Sequence, residues 1–412
     1  MSILFATELE DEQEAGGRLI SARHPAHSGE RPELSVVMPC LNEVETVGMC
    51  VRKAMAGLRA ARVEGEVIVA DNGSTDGSVE VAKAAGARVI SVPAKGYGNA
   101  LKGGIPAARG EYVLMADSDD SHNFDHIPRF VEKLRAGSDF VIGNRFQGGI
   151  DDKAMPFLNR HIGNPILSGI GKLFFHSPCS DFHCGMRAFR KDSFQKMDIR
   201  SSGMEFASEM VVKATLLEMQ ISEVPTTHSA AGRSRPPHLR PFRDGWRHLR
   251  FLLMYSPRWL FLYPGLILIA LGLMGCAWLL TGARVVYGVR FDVHTLLYAL
   301  VAVLLGFQLV AFAVFTKVFA MTEGLLPEDL RFNQLFQWVK LETGLTIGGL
   351  MVLAGLSGSA FTIFDWARGS FSGFNDLPML RLVMLSVFSL TLGAQIVFSS
   401  FFLSILGLRR HS

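Results

Sequence analysis

The pattern with the clearest chemistry is a short, mostly apolar run followed by three carboxylates. The run is 112–115, and Asp117, Asp119 and Asp120 come soon after it. A strand that ends in Asp-x-Asp places hard oxygen ligands at the open edge of a sheet, and such ligands suit Mg²⁺ or Mn²⁺ held together with substrate phosphates. An acidic loop that only caps the next helix is the competing interpretation.

The segments around this run alternate between strand-like and helix-like patterns. Apolar or β-branched runs predict strands at 34–38, 66–70, 88–92, 112–115 and 139–143. This alternation predicts an α/β fold with a mostly parallel sheet, in which ligands bind at the carboxyl ends of the strands. No G-x-G-x-x-G follows the first strand and no G-x-x-x-x-G-K-[ST] occurs, which argues against an NAD-binding domain and a P-loop ATPase.

Composition separates the chain into two halves. The 412 residues carry a formal net charge of +3, which creates no strong overall field. Hydrophobic residues make up 49% of the chain, and charged residues become sparse after Arg258. We therefore predict a soluble N-terminal half and a membrane C-terminal half.

The five cysteines form no recognisable disulfide framework, which favours a reducing compartment. A zinc site is an alternative at His176, Cys179, His183 and Cys184, which are close together in the sequence. Their spacing matches no usual zinc-finger pattern. The first 32 residues are polar with an acidic run and predict a disordered tail.

Three motifs carry a resemblance to a known family. Residues 39–43 (Pro-Cys-Leu-Asn-Glu), 71–77 (Asp-Asn-Gly-Ser-Thr-Asp-Gly) and 117–119 (Asp-Ser-Asp) resemble, in this order, the nucleotide-sugar half of glycosyltransferase family 2 with its Rossmann-like GT-A fold. The segment 34–253 is similar to dolichol-phosphate mannose synthases and bacterial polyprenyl-phosphate glycosyltransferases. The resemblance implies that the base and ribose of the donor contact Pro39, Leu41, Glu43 and Asp71. It implies that the metal and the diphosphate contact Asp117 and Asp119, with Ser121 at a further metal-side position.

The same resemblance implies an acceptor-phosphate site. Arg145 follows the fifth predicted strand and Arg160 lies on the next helix, at positions where the similar synthases grip this phosphate. Two surface arginines are the competing interpretation. Asn164 and Arg235 are further candidates for this site, and the expected catalytic residues are Asp119, Arg145 and Arg160. Because a phosphate monoester is already anionic, the site needs positioning and charge neutralisation more than a general base.

Two further segments resemble family motifs with departures. Residues 181–187 are similar to an Asp-x-x-Ser-Gly-Phe-Arg segment, which makes Asp181 and Arg187 acceptor-side candidates. Residues 232–235 are similar to a Gly-x-Ser-Lys motif, with Arg235 in place of the lysine. The synthases carry an arginine three positions before that glycine, where this chain has Ser229.

The second half of the chain predicts a membrane domain. Residues 233–258 contain seven arginines and one acid, interleaved with aromatic residues. A nucleic-acid patch would have this composition too, but the neighbouring apolar segments favour a cytoplasmic membrane interface. The expected partners of this segment are anionic lipid headgroups and a lipid phosphate. Four spans are predicted, at 261–281, 296–316, 345–364 and 382–403. The excess of basic residues before the first span and after the last places both termini in the cytoplasm.

These patterns predict four regions: a tail (1–32), a GT-A domain (33–235), a basic amphipathic interface segment (236–260) and a transmembrane domain (261–412). The family resemblance implies inverting transfer of a sugar from a UDP-glucose or GDP-mannose type donor to a polyprenyl phosphate of undecaprenyl or dolichyl type. The protein is expected in the cell (inner) membrane, with the catalytic domain in the cytoplasm. A processive polysaccharide synthase and a non-catalytic nucleotide-sugar-binding membrane protein remain alternatives.

Overall fold

A mostly parallel sheet of seven strands organises the N-terminal part of the protein. The structure, a computed structural model, describes residues 32–234, 241–324, 326, 332, 341–368 and 377–408. The strands are β1 Leu34–Cys40, β2 Gly65–Asp71, β3 Arg88–Ser91, β4 Tyr112–Met115, β5 Phe140–Asn144, β6 Arg187–Arg190 and β7 Ile221–Pro225. The predicted tail at 1–32 lies almost entirely outside the described residues, and Arg235 lies outside them too.

The strand order is β3-β2-β1-β4-β6-β5-β7. All neighbouring strands are parallel except β6, which runs antiparallel to both β4 and β5. The prediction of a mostly parallel α/β sheet is therefore confirmed. The sequence pattern did not predict the insertion of β6, which separates the end of β4 from the end of β5 by one strand.

Helices connect the strands and cover the sheet. In chain order they are α1 Val47–Ala60, α2 Ser78–Ala84, α3 Tyr97–Ala107, α4 Ile127–Arg135, α5 Arg145–Gly148, α6 Asn164–Phe175, α7 Lys191–Met197, α8 Phe206–Leu216 and α9 Pro241–Met254. A 3₁₀ turn, Phe124–His126, precedes α4, and a π-helical turn, Asn159–Gly163, precedes α6. Strands β1, β4 and β5 are almost wholly buried, as expected for parallel strands covered on both faces.

The register of β1 brings three strand ends to one edge of the sheet. Cys40 of β1 pairs with Asp71 of β2, and Val37 pairs with Met115 of β4. The loops that follow β1, β2 and β4 therefore leave the sheet side by side. This is the edge at which parallel sheets bind their ligands.

Four long apolar helices follow the sheet domain. They are α10 Tyr263–Leu279, α11 Val293–Thr322, α12 Leu341–Arg368 and α13 Leu377–Leu408, and a short hairpin of β8 Arg284–Val286 and β9 Val289–Phe291 joins the first two. The segments long and apolar enough to cross a membrane are Arg258–Leu279, Val293–Thr322, Leu341–Arg368 and Leu377–Leu406. The prediction of four spans is confirmed. The last three helices extend past the predicted limits because helical hydrogen bonding continues beyond the apolar stretch that hydropathy detects.

The four helices pack through small residues and a few polar contacts. A Cβ atom on Gly265 of α10 would lie 2.9 Å from the carbonyl oxygen of Gly306 in α11, so these two helices approach each other closely. Helix α13 contacts α11 through a hydrogen bond of 3.1 Å from Gln395 to Gln308. The helices therefore form two hairpins, α10–α11 and α12–α13, joined by packing between α11 and α13.

Candidate active site

A cavity of about 400 Å³ opens at the edge where β1, β2 and β4 end. Its wall combines these strand ends with the start of α3, the loop before α8, Arg233 and the first turns of α9. The lining residues are Pro39, Cys40, Leu41, Glu43, Asn72, Lys95, Gly96, Tyr97, Ala100, Asp117, Ser118, Asp119, Gly203, Met204, Arg233, Arg243, Asp244 and Arg247. The sheet domain and the helix that leads to the membrane thus share one cavity.

The Asp-x-Asp loop is anchored to the end of β1. The hydroxyl of Ser118 donates a hydrogen bond of 2.7 Å to the carbonyl of Pro39, and the hydroxyl of Thr46 donates one of 2.7 Å to the carbonyl of Ser118. Asp117 and Asp119 flank this anchored residue, and both line the cavity. The loop geometry is therefore set by contacts to a neighbouring strand rather than by the loop alone.

The carboxylate of Asp117 accepts hydrogen bonds from two aromatic side chains. Nε2 of the buried His122 lies 3.2 Å from Oδ2 of Asp117, and the hydroxyl of Tyr97 also hydrogen-bonds this carboxylate. Burial opposes ionisation of Asp117, but the hydrogen bond and charge of His122 hold the pKa of Asp117 below its usual value. Asp117 is therefore ionised at neutral pH, as a ligand of a divalent metal ion requires.

Arg233 joins the two acidic sides of the cavity. Its guanidinium lies 2.6 Å from Oε1 of Glu43 and 3.3 Å from Oδ2 of Asp119. The backbone N–H of Gly232 also donates to the carbonyl of Asp119 at 3.0 Å. The segment before α9 is thus bound to the Asp-x-Asp loop by both its backbone and a charged side chain.

The loop after β2 is organised by Asp71 and Asn72. The carboxylate of Asp71 accepts backbone hydrogen bonds from Gly73 at 3.0 Å and Ser74 at 3.1 Å. The side chain of Asn72 donates to the carbonyl of Val92 at 3.0 Å and accepts from the N–H of Gly96 at 2.8 Å. Asn72 lines the cavity whereas Asp71 does not. In this structure Asp71 therefore stabilises the loop that places Asn72 at the cavity.

Arg145 forms a buried ion pair behind the cavity. Its Nε and one Nη donate to the two carboxylate oxygens of Asp181 at 2.7 and 2.8 Å, and both side chains are buried. Arg187 is fully buried as well and donates to the backbone carbonyls of Cys184, Phe182 and Ala207. None of these three charged side chains lines the cavity.

The other predicted acceptor residues lie apart from the cavity lining. Arg160 is partly exposed on the π-helical turn, 3.8 Å from the exposed Asp152. Asn164 begins α6, and its amide contacts the sulfur of Met155 at 3.2 Å. Arg235 lies outside the described residues. The acceptor-phosphate roles of Arg145, Arg160, Asn164 and Arg235 stay predictions.

Ser121 contacts the Asp-x-Asp loop but does not line the cavity. Its backbone N–H donates to Oδ1 of Asp119 at 3.1 Å, and its carbonyl accepts from the N–H of Ser229 at 3.0 Å. These contacts tie the Asp-x-Asp loop to the segment before α9. The predicted role of its hydroxyl as a metal ligand stays a prediction.

The carboxylates of the cavity fit a divalent ion of the Mg²⁺ or Mn²⁺ type. Asp117 and Asp119 offer hard oxygen donors, and such ions are commonly bound by one or two carboxylates together with substrate phosphates. Within the described part of the chain, no group of three or more His, Cys, Asp or Glu side chains is arranged to hold a metal ion. The zinc alternative at His176, Cys179, His183 and Cys184 is therefore not supported, and His183 instead packs against the ring of His248.

The structure brings five predicted residues around one cavity: Pro39, Leu41, Glu43, Asp117 and Asp119. The sequence assigns no site role to Asn72, and it predicts a lipid-phosphate partner for the basic segment as a whole without a role for Arg233, Arg243 or Arg247 individually. The spacing of Arg243 and Arg247, four residues apart on one face of a helix, was a usable signal. Their basic neighbours concealed it, because the whole segment has the composition of a membrane interface.

Comparisons with known proteins identify the family of the chain. A family model described as Glycosyl transferase family 2 matches residues 35–198, and one described as Glycosyltransferase family 2 C-terminal transmembrane region matches residues 314–407. The chain is 37% identical over 384 residues to the low-salt glycan biosynthesis hexosyltransferase Agl6 of Haloferax volcanii, which covers 93% of this chain and 91% of that protein.

Two more distant similarities were found. The chain is 30% identical over 216 residues to a dolichyl-phosphate hexose transferase of Haloferax volcanii, covering 52% of this chain and 89% of that protein. It is similar, at 21% identity and a TM-score of 0.41, to the solved glucosyl-3-phosphoglycerate synthase of Mycobacterium tuberculosis in complex with Mn²⁺, UDP and glucosyl-3-phosphoglycerate, over 54% of this chain and 78% of that chain. The family models and the extensive identity to Agl6 show that this multi-pass membrane protein belongs to glycosyltransferase family 2.

Proposed function

We propose that this protein transfers a sugar, with inversion, from a nucleotide-sugar donor to a polyprenyl phosphate at the cytoplasmic face of the cell membrane. The donor is a nucleoside diphosphate hexose of the UDP-glucose or GDP-mannose type. Two relatives support a hexose, since one is described as a hexosyltransferase and another as a dolichyl-phosphate hexose transferase.

One observation carries the proposal: the carboxylates at the strand ends and the helix that leads to the first span share a single cavity. Asp117 and Asp119 form one side, and α9 forms another. Helix α9 ends at Met254, four residues before the first span begins at Arg258. A nucleotide-sugar bound at the sheet edge would therefore lie near the membrane surface, where the phosphate of a lipid acceptor lies.

The chemistry requires charge neutralisation rather than a strong base. An oxygen of the acceptor phosphate attacks the anomeric carbon, the bond from that carbon to the donor diphosphate breaks, and the nucleoside diphosphate leaves. A divalent ion, when bound, neutralises the charge that develops on the diphosphate. Asp117 and Asp119 would hold that ion, and Pro39, Leu41 and Glu43, which line the same cavity, would contact the donor.

The surface of α6 and α9 supports a location at the membrane. Phe242 and Trp246 on α9 have 82% and 60% of their surface exposed. Helix α6 exposes Ile166 and Leu173, and the ring of Phe174 stacks on Trp259 at 5.2 Å between centroids. Exposed aromatic and aliphatic side chains beside basic residues are typical of helices at a membrane interface.

The proposal is tested with purified protein, undecaprenyl phosphate, Mg²⁺ and a panel of nucleotide sugars, with glycolipid detected by mass spectrometry. We expect one donor to give a lipid-phosphate-sugar together with one nucleoside diphosphate per product. Formation of a sugar polymer instead would favour a processive synthase. Tight nucleotide-sugar binding with no turnover of any donor would favour a non-catalytic binding protein, and both results would overturn the proposal.

A further inference from the structure

Helix α9 contributes a basic wall to the cavity. Arg243 and Arg247 line it from successive turns of the helix, and Asp244 lines it between them. Elsewhere in the lining, Glu43 and Asp119 contact Arg233. The sequence predicts anionic lipid headgroups and a lipid phosphate as partners of the whole basic segment, without an individual role for either arginine.

Asp244 fixes both arginines in place. Its carboxylate is buried, and Oδ1 lies 3.4 Å from Nε of Arg243 and 3.7 Å from one Nη of Arg247. Each guanidinium carries five N–H donors, so contact with one carboxylate oxygen uses a small part of their capacity. About half of each arginine side chain is exposed, at 52% for Arg243 and 43% for Arg247. The two guanidinium groups are therefore positioned by a buried anion while remaining accessible.

A pair of oriented guanidinium groups matches the chemistry of a phosphate. Arginine pairs with phosphate oxygens through parallel N–H donors, which gives both strength and orientation. A phosphate bound by Arg243 and Arg247 would occupy the same cavity as Asp117 and Asp119 but contact a different part of its lining. That separation is what transfer requires, because the attacking phosphate must approach the sugar from the side away from the leaving diphosphate.

The position of α9 favours a lipid as the carrier of this phosphate. Phe242 precedes Arg243 and Trp246 precedes Arg247, and both aromatic side chains are largely exposed. The helix then continues toward the first membrane span at Arg258. A phosphate joined to an apolar chain would place its charge on the arginines and its chain along the apolar surface of the same helix.

We propose that Arg243 and Arg247 bind the phosphate of the lipid acceptor, with Asp244 as the residue that positions them. This inference rests on the proposed function. The diphosphate of the donor offers the same chemistry, so the test measures donor and acceptor binding separately.

The test compares R243Q, R247Q and the double variant with the full-length protein. R250Q is the matched control, because Arg250 lies one turn further along α9 and does not line the cavity. Affinity for the nucleotide-sugar is measured with Mg²⁺ and without lipid, and KM for undecaprenyl phosphate is measured at saturating donor. R247K adds a variant that keeps the charge and loses the planar fork.

We expect the double variant to raise the acceptor KM at least about tenfold, as for a lost charge-assisted hydrogen bond to phosphate, and to leave donor affinity within about twofold. R247K should fall between wild type and R247Q, and R250Q should resemble wild type. Each variant must keep the wild-type elution volume and melting temperature for the comparison to count.

Two results would overturn the inference while leaving the proposed function intact. One is weaker donor binding with an unchanged acceptor KM, which would assign the arginines to the donor diphosphate. The other is an equal effect of R250Q, which would reduce their role to general attraction of anionic lipid. Absence of transfer to both undecaprenyl phosphate and dolichyl phosphate by the wild-type protein would overturn the proposed function, and the inference with it.

Discussion

The guanidinium of Arg145 and the carboxylate of Asp181 form a two-point ion pair in the protein interior. The two hydrogen bonds measure 2.7 and 2.8 Å, and the backbone N–H of Arg145 adds a third contact of 3.1 Å to the same carboxylate. Burial disfavours the charged form of Asp181, but the charge of Arg145 keeps the pKa of Asp181 below its usual value. The pair holds the end of β5 against the segment that precedes β6.

Replacing Asp181 with alanine should strongly destabilise the sheet domain. The change leaves the Arg145 charge buried without its partner, which typically costs about 3–5 kcal/mol. Thermal unfolding in detergent gives the measurement. The control is E111A, which removes an exposed pair with Arg190 of 3.1 Å and should cost less than about 1 kcal/mol. Equal losses in the two variants would contradict a structural role for the buried pair.

Replacing Gly185 with alanine should reduce transfer by displacing Asp117. A Cβ atom at this position would lie 2.5 Å from Oδ2 of Asp117 and 2.8 Å from Nε2 of His122, closer than real Cβ contacts allow. A shift of about 1 Å at a reacting site can lower a rate about 100-fold. We therefore expect the rate of transfer by G185A to fall by about 10-fold to 100-fold.

The control for this variant is G169A, because a Cβ atom on Gly169 would meet nothing within 4 Å. Initial rates of transfer at saturating substrates provide the measurement, together with the melting temperature. A wild-type rate for G185A would mean that the position of Asp117 does not limit the reaction.

Removal of divalent metal should abolish transfer, and addition of Mg²⁺ or Mn²⁺ should restore it. D117N should lower kcat/KM by about 100-fold or more, because a neutral amide neither balances nor orients a divalent ion on the diphosphate. The control is D120N, since Asp120 adjoins the motif but pairs with Lys53 at 2.6 Å and does not line the cavity. Unchanged transfer by D117N would show that the metal assignment is wrong.

Stability should decrease as the pH falls below about 6.5, the pKa of histidine in an unfolded chain. His183 and His248, both outside the spans, pack with ring centroids 4.5 Å apart. Burial lowers the pKa of His248 to about 4, and burial together with His248 keeps the pKa of His183 well below its usual value. Between the folded-state and unfolded-state pKa values of each histidine, the unfolded chain binds a proton that the folded protein does not. The stability that is present above about pH 6.5 is therefore lost as the pH falls.

The measurement for this prediction is the melting temperature between about pH 4.5 and 7.5. H248Q removes one of the two titrating side chains, so unfolding should take up about one proton fewer. The slope of the unfolding free energy against pH should then decrease by up to roughly 1.4 kcal/mol per pH unit. A curve for H248Q as steep as that of the wild type would contradict the assignment of this loss to the buried pair.

Cysteine labelling should place the hairpin between the first two spans outside the cytoplasm. The described native cysteines are all buried, so the background should be low. V285C lies on β8 with 68% of the residue exposed in the wild type and should react with an impermeant maleimide in intact cells. D152C, on the exposed surface of the sheet domain, should react only after the membrane is opened. The reverse pattern would invert the proposed topology.

The motifs and patterns of the sequence were sufficient to predict the fold class, four helices long and apolar enough to cross a membrane, and five of the residues that line the cavity. Strand and helix periodicity and the length of apolar segments are local properties, so they need no knowledge of distant contacts. The family resemblance implies Pro39, Leu41, Glu43, Asp117 and Asp119 as site residues, and the carboxyl ends of parallel strands lie at one edge of a sheet. Their arrangement around one cavity follows from that rule.

The partners of the arginines could not be predicted from the sequence. Arg145 pairs with Asp181, 36 positions away, because β6 inserts between β4 and β5 and brings that loop beside β5. Arg233 reaches Glu43 across 190 positions. Charge alone does not distinguish an arginine that neutralises a buried carboxylate from one that faces a substrate. Long-range packing makes that distinction, and it is what places Arg145 in the interior and Arg247 at the wall of the cavity.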